Sequence, residues 1–173
     1  MNRHTTVLAM AVCTLVVFAA PRASAAPADS DVEKKAIARV VDDSIGWFED
    51  KDFDLLFSTF ADDPDLFMFQ PDSTGTIHGI EAFKEFSVIW RDPDTRYLRH
   101  EIRDLRIHLS RSGDVAWFSA ILDDCGEYKG KAGCWKDTRW TGVLEKHDGR
   151  WVVMQAHFSL AADKVREATE ENP

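Results

Sequence analysis

The sequence lacks any cluster of basic residues. Its 21 lysines and arginines are outnumbered by 30 aspartates and glutamates, which gives a net charge of −9 at pH 7. Proteins that bind nucleic acid or anionic lipid concentrate positive charge on one surface. The composition therefore argues against both classes of partner, and the acidic excess favours solubility.

Long hydrophobic runs are also missing, apart from one near the N-terminus. Residues 5–20 are apolar and uncharged, and they precede Ala23-Ser24-Ala25, the small-residue pattern that a signal peptidase requires. The run is shorter than the roughly 20 residues that span a bilayer. We expect residues 1–25 to be a cleaved signal peptide of a periplasmic or secreted protein, with no stable membrane anchor. Cys13 precedes the cleavage site, which argues against a lipid-anchored cysteine.

Cysteine is scarce, with three in the chain, and Cys125 and Cys134 are the two outside the signal peptide. An oxidising compartment favours a disulfide between them across the neck of a hairpin, and a pair of free thiols is the alternative. Two cysteines without nearby histidines make a poor zinc site, and no H-x-x-x-H or C-x-x-C spacing occurs. We expect neither a metal nor another cofactor.

The remaining residues, 26–173, have the length of one domain. Apolar residues recur at helical spacing in three segments of the first half, at residues 30–48, 53–60 and 79–90. A short strand at residues 66–70 and a turn at residues 71–75 separate the second segment from the third.

The second half is rich in strands. Long strand-like runs are expected at residues 96–109, 115–123, 135–146 and 151–160, with Asp148-Gly149 in the last hairpin and a polar tail helix at residues 161–171. The order of helices followed by a meander of strands predicts an α+β fold.

Alternation in the last two strands assigns their faces, because successive strand side chains point to opposite sides. The even-numbered residues are expected to face the helices and the core; they are Trp140, Gly142, Leu144, Met154, Ala156 and Phe158. The odd-numbered face is mostly polar and includes His157. Trp151 and Val153 also fall on it, which suggests partial cover by a second subunit.

Several short motifs resemble those of the nuclear transport factor 2-like superfamily with its SnoaL-like domains. They occur in the expected order along the chain, at residues 61–63, 70–71, 77–83, 148–151 and 154–159. Phe86 with Trp90 and the C-terminal motif are similar to the association domain of calmodulin-dependent protein kinase II. The resemblance implies a cystatin-like roll, in which a curved, cone-shaped sheet wraps around three helices and leaves a pocket at its wide end. It also implies a homodimer through the outer sheet face.

The resemblance also allows a test for ketosteroid isomerase chemistry. That reaction uses a carboxylate base with a tyrosine and a protonated aspartate as oxyanion donors. The matching positions fall on Gln70, near Ser44, and at Thr141 or Gly142, so the three functional groups are missing. Isomerase chemistry of that type is therefore not expected.

Three other side chains are candidates for a catalytic base. Asp62 and Asp63 follow the second helix, although an Asp-Asp-Pro sequence commonly forms a turn. His157 has a side chain that titrates near neutral pH, but its strand position places it away from the pocket. Whether the protein is an enzyme is left open by these residues, and the missing isomerase groups favour a binding protein.

Aromatic residues are the main positive signal for a site. Most of them belong in the core, and a subset is expected to line a cavity with a few polar groups. The predicted lining is Trp47, Phe60, Met68, Gln70, Trp90, Phe118, Leu122, Trp140, Met154 and Phe158. The association domain has arginines in its pocket, and the matching positions are Leu122, Gly142 and Phe158, which disfavours an anionic ligand.

Three functional hypotheses follow. The first is an exported domain that binds a small, mostly apolar molecule. The second is a SnoaL-like lyase, cyclase or isomerase that uses Asp62, Asp63 or His157 as its base. The third is an association module that acts through homo-oligomerisation.

Overall fold

Over residues 30–71 and 75–163, which the computed structural model describes, the chain forms three α-helices, one 3-10 helix and six strands. The helices are α1 (Ser30–Gly46), α2 (Phe53–Thr59) and α3 (Gly79–Phe86), and the 3-10 helix is Ser87–Arg91. The strands are β1 (Phe67–Phe69), β2 (Thr76–His78), β3 (Thr95–Leu109), β4 (Val115–Tyr128), β5 (Lys131–His147) and β6 (Arg150–Ser159). The predicted signal peptide and most of the predicted tail helix lie outside the described residues.

The strands form one mixed sheet in the order β2-β1-β6-β5-β4-β3. β1 runs parallel to β6, and the other neighbouring pairs are antiparallel. The sheet is open, with β2 and β3 at its two edges, and the helices cover its concave face. The predicted α+β roll of three helices and a curved sheet is confirmed.

The curvature of the sheet comes from register shifts in its long strands. They occur at two places between β3 and β4, at one between β4 and β5, and at one between β5 and β6. A β-bulge adds a residue to one strand, bends it and increases its twist. Asp104 and Asp137, at two of these shifts, have φ angles of 53° and 51°. The bulges therefore turn the sheet around the helices.

Helix α1 packs on the concave side of the sheet, against β3 and β6. Asp31 and Glu33 lie in its first turn, where negative charge interacts favourably with the helix dipole. Ile37 and Val41, one turn apart, are completely buried against the sheet. Helix α2 is capped at its N-terminus by Asp52, whose carboxylate accepts a hydrogen bond of 2.9 Å from the Leu55 backbone N–H. Such an N-cap satisfies one of the free donors of the first turn.

Glu33 also ties α1 to the last hairpin of the sheet. Its carboxylate accepts hydrogen bonds from the Lys146 ammonium at 2.7 Å and from the Trp151 indole N–H at 2.6 Å. These hydrogen bonds, Lys146 first, lower the pKa of Glu33 below its usual 4.5. The charged form of Glu33 therefore stabilises the packing of α1 on β5 and β6.

The structure corrects three predicted element boundaries. A short strand, β2, occupies Thr76–His78 and was not predicted. Helix α3 ends at Phe86 and continues as a 3-10 helix, so Ile89 is 55% exposed instead of sharing the buried face with Phe83. The residues between the two cysteines, which lie outside the predicted strands at residues 115–123 and 135–146, extend β4 and β5 and leave a two-residue turn at Lys129 and Gly130. Both turn residues have positive φ, as hairpins of this length require.

The predicted face assignment for β6 holds for its second half and fails for its first half. Gln155 pairs with Val143 but Val153 pairs with Leu144, so Met154 is the extra residue of a bulge. The bulge reverses the alternation, and Trp151 and Val153 are buried in the core at 5% and 1% exposure. Their prediction as outer-face residues covered by a second subunit is wrong.

Candidate functional site

A cavity of about 760 Å³ lies between the helices and the β4–β5 hairpin. Most of its lining is apolar, and its size suits a small organic molecule. The apolar residues in contact with it include Ile45, Trp47, Phe48, Leu56, Phe60, Met68, Phe83, Phe86, Ile89, Trp90, Trp135 and Phe158.

The aromatic rings of the lining support one another through edge contacts. Trp90 lies 5.4 Å from Trp47 and 5.3 Å from Phe86 between ring centroids, both in T-shaped geometry. On the opposite wall, Trp135 lies 5.8 Å from Phe158. Rings in such contacts are held in fixed orientations, so the cavity offers preformed aromatic surfaces to a ligand.

Six of the ten predicted lining residues contact this cavity: Trp47, Phe60, Met68, Gln70, Trp90 and Phe158. The other four do not. Leu122 and Trp140 are buried in the core beneath the cavity, and Phe118 packs edge-on against Trp140 at 4.9 Å. Met154 is displaced by its position in the β6 bulge.

None of the three predicted bases contacts the cavity. Asp62 is exposed and pairs with Lys84 at 3.5 Å. Asp63 accepts a hydrogen bond of 2.7 Å from the Asp65 backbone N–H, as expected for a turn. His157 is exposed on the outer face of the sheet, with its ring 5.5 Å from that of Phe69. The structure therefore gives no support to catalysis in the cavity by these residues.

Two carboxyl groups line the cavity, those of Asp124 and Glu127, and the sequence analysis missed both. Asp124 follows Leu122 on the inner face of β4 and is partly buried. Burial raises the pKa of its carboxyl above the usual 3.8, with His100 acting in the opposite direction. No described residue donates a hydrogen bond to this carboxyl. A desolvated carboxyl without such a donor is a group available to a ligand.

His100 and Trp135 are the cross-strand neighbours of Asp124, on β3 and β5 respectively. Both ring nitrogens of His100 are engaged elsewhere, Nδ1 with the Tyr97 hydroxyl at 3.0 Å and Nε2 with the Asp42 carboxylate at 3.3 Å. Neither ring nitrogen is therefore hydrogen-bonded to the Asp124 carboxyl. Trp135 reaches the cavity because a bulge around Asp137 shifts the register between β4 and β5.

A disulfide between Cys125 and Cys134 links β4 and β5 beside the cavity. The two residues are directly paired across the strands, and Cys134 contributes to the lining. The bond joins the arm of the hairpin that carries Asp124 to the arm that carries Trp135. It therefore limits the separation of these two side chains.

The outer face of the sheet has a smaller groove of about 310 Å³. His108 and Trp117 stack there at 5.7 Å, and Trp117 is 48% exposed. Thr141 and Gln155 complete a mixed polar and apolar surface. This groove lies on the opposite side of the sheet from Asp124.

In the part of the chain that the structure describes, no helix is both long and apolar enough to cross a membrane. Within residues 30–71 and 75–163, no three histidine, cysteine, aspartate or glutamate side chains are grouped so that they could hold a metal ion.

The family model of the SnoaL-like domain matches residues 37–163, which include the whole cavity wall. The chain belongs to the SnoaL-like family. No curated protein has a matching sequence.

Solved structures share the fold of this SnoaL-like chain at low sequence identity. The association domain of CaMKII from C. elegans is 22% identical with a TM-score of 0.57, over 75% of this chain and 97% of that one. A proposed dehydratase of the NTF2-like family from Streptomyces avermitilis is 16% identical with a TM-score of 0.64, over 76% and 97%. A proposed scytalone dehydratase from Novosphingobium aromaticivorans is 17% identical with a TM-score of 0.62, over 73% and 83%. At these identities the likeness establishes the fold alone.

Proposed function

We propose that this SnoaL-like domain binds a small, mostly apolar organic molecule in the cavity between the helices and the β4–β5 hairpin. The observation that carries the proposal is a cavity of about 760 Å³ whose wall is mainly apolar and contains several aromatic rings, with Asp124 as an available polar group. Apolar walls with a few placed polar groups are the usual form of small-molecule sites.

A substitution that fills the cavity tests this proposal. Gly133 lines the cavity, and a Cβ atom built on it meets no atom within 4 Å, so a side chain can be added beside the cavity without a clash at its Cβ atom. We expect Gly133→Trp to weaken binding of the neutral fluorescent probe N-phenyl-1-naphthylamine about tenfold or more, because the indole occupies the site. Probe fluorescence during titration measures the affinity.

Ala132→Trp is the matched control. Ala132 precedes Gly133, is exposed, and does not line the cavity. This variant adds the same side chain to the same hairpin and is expected to leave probe affinity within about twofold of the wild type. Equal loss of affinity in both variants, or no loss in either, would contradict binding in the cavity.

Export and dimerisation are part of the proposal. Export is supported by the signal-peptide pattern of residues 1–25 and by the Cys125–Cys134 disulfide, since disulfides persist in oxidising compartments. Dimerisation through the outer groove is supported by the exposed Trp117 and by the likeness to an association domain. A monomeric mass in light scattering would contradict the dimer.

A second candidate is a lyase or isomerase in which Asp124 transfers a proton. The observation that favours it is the raised pKa of this carboxyl inside an apolar cavity, a condition under which carboxyl groups act as acids or bases near neutral pH. In that case Asp124→Asn would still bind the substrate but would not convert it. Equal turnover by the variant and the wild type would exclude the role.

A further inference from the structure

We propose that the ligand of this cavity is an organic cation with an aromatic or aliphatic body, a protonated amine, whose ammonium group pairs with Asp124 while its body packs on the aromatic wall. The inference rests on the proposed binding function and adds the chemical class of the ligand.

The first argument is the position of Asp124 next to an aromatic face. Asp124 and Trp135 are directly paired across β4 and β5, and both line the cavity. Side chains of such pairs lie about 5 Å apart at their Cβ atoms. One ammonium group can therefore contact the carboxylate and the indole face together, and both interactions favour positive charge.

The second argument is that no described residue donates a hydrogen bond to the Asp124 carboxyl. Burial has removed part of the hydration of this carboxyl group, and no hydrogen bond from the described residues is gained in exchange. His100, the cross-strand neighbour of Asp124 on β3, directs its two nitrogens to Tyr97 and Asp42. A cation from outside the chain would supply the missing partner.

The third argument is the balance of charge around the site. The charged side chains that line the cavity are Asp124, Glu127 and Lys131. Lys131, the first residue of β5, is exposed beside the hairpin turn, where it pairs with Tyr128, so the lining carries two carboxyl groups and one exposed ammonium group. The whole chain carries a net charge of −9, and such a field attracts cations and repels anions.

A matched series of three ligands tests the charge preference. The series is 2-naphthylmethylamine, 2-naphthylmethanol and 2-naphthoate, which share one ring system and carry a positive, zero and negative charge at pH 7. By isothermal titration calorimetry of the wild type, we expect the amine to bind about tenfold more tightly than the alcohol, and the carboxylate most weakly.

Substitution of Asp124 then tests whether its carboxyl group causes the preference for the amine. In Asp124→Asn the amine is expected to lose about tenfold in affinity, while the alcohol stays within about threefold. Glu101→Gln is the control, because Glu101 is exposed on the neighbouring strand β3 and does not line the cavity. This control is expected to keep the preference for the amine.

The outcomes separate the inference from the function on which it rests. Equal or tighter binding of the alcohol by the wild type would overturn the cation proposal and leave cavity binding intact. An amine preference that survives in Asp124→Asn would also overturn it. If none of the three compounds binds the folded wild type, the proposed function itself is contradicted. The comparison of the three compounds uses only the wild-type protein, so it does not depend on whether a variant folds.

Discussion

Replacing Gly142 with alanine is expected to lower the free energy of unfolding by about 3 kcal/mol, the upper part of the usual range for overpacking a core. A Cβ atom at this position would lie 2.5 Å from Cε1 of Phe118 and 2.7 Å from the backbone oxygen of Gln155. Phe118 cannot move freely, since it is buried edge-on against Trp140. Urea unfolding, compared at constant m value, measures the loss.

Gly133→Ala is the matched control for this substitution. Both glycines are on β5, but a Cβ atom on Gly133 meets nothing within 4 Å. Its replacement is expected to be neutral or to stabilise the fold by about 0.5 kcal/mol, because alanine restricts the unfolded chain. A similar loss of unfolding free energy in the two variants would contradict the prediction, because the destabilisation would then not come from contact with Phe118.

Replacing Glu33 with glutamine is expected to lower the free energy of unfolding by about 2 kcal/mol at pH 7, the usual contribution of a hydrogen bond to a charged group. Glutamine keeps one acceptor oxygen for Lys146 and Trp151 but removes the negative charge. The wild-type carboxylate is only 14% exposed, so solvent screens these contacts weakly. Thermal unfolding of both proteins measures the difference.

The pH dependence of this difference follows from the lowered pKa of Glu33. A carboxyl whose pKa is lower in the folded than in the unfolded state contributes its full stability above the unfolded value, here near 4.5. The contribution is lost as the pH falls through the folded value. The gap between wild type and Glu33→Gln should therefore be constant near neutrality and shrink below about pH 4.5. A gap that widens with acid would contradict the role of the charge.

Glu85→Gln provides the control for the loss of one negative charge. Glu85 is exposed on α3, away from the contacts of Glu33. We expect its replacement to change stability by less than about 0.5 kcal/mol across the same pH range.

Periodicity alone predicted the helices and the inner face of β5 because regular segments obey it. Trp140 and Leu144 are buried as expected, and Asp148 and Gly149 form the predicted turn with positive φ angles. The prediction fails where a bulge interrupts a strand. Met154 in β6 is a residue type that occurs in regular strands, so the sequence does not indicate the bulge that reverses the alternation there.

Asp124 was missed for a related reason. Its alternation with Phe118 and Leu122 would have placed it on the inner face of β4. The glycines and lysines that follow it indicate a long turn, and β4 was therefore predicted to end at Asp123. Pairing between residues 125–128 and 131–134 overrides that local tendency and extends the strand through Asp124. Trp135 enters the site only through the bulge near Asp137, which no alternation pattern predicts.

The most direct test of cavity binding follows the indole N–H signals of the six tryptophans by NMR during titration with N-phenyl-1-naphthylamine. Substitution of each tryptophan with phenylalanine assigns the signals. The structure predicts shifts for Trp47, Trp90 and Trp135, which line the cavity, and unchanged signals for Trp117 on the outer face and Trp151 at the Glu33 contact. Shifts confined to Trp117, or no shift at saturating probe, would contradict the account.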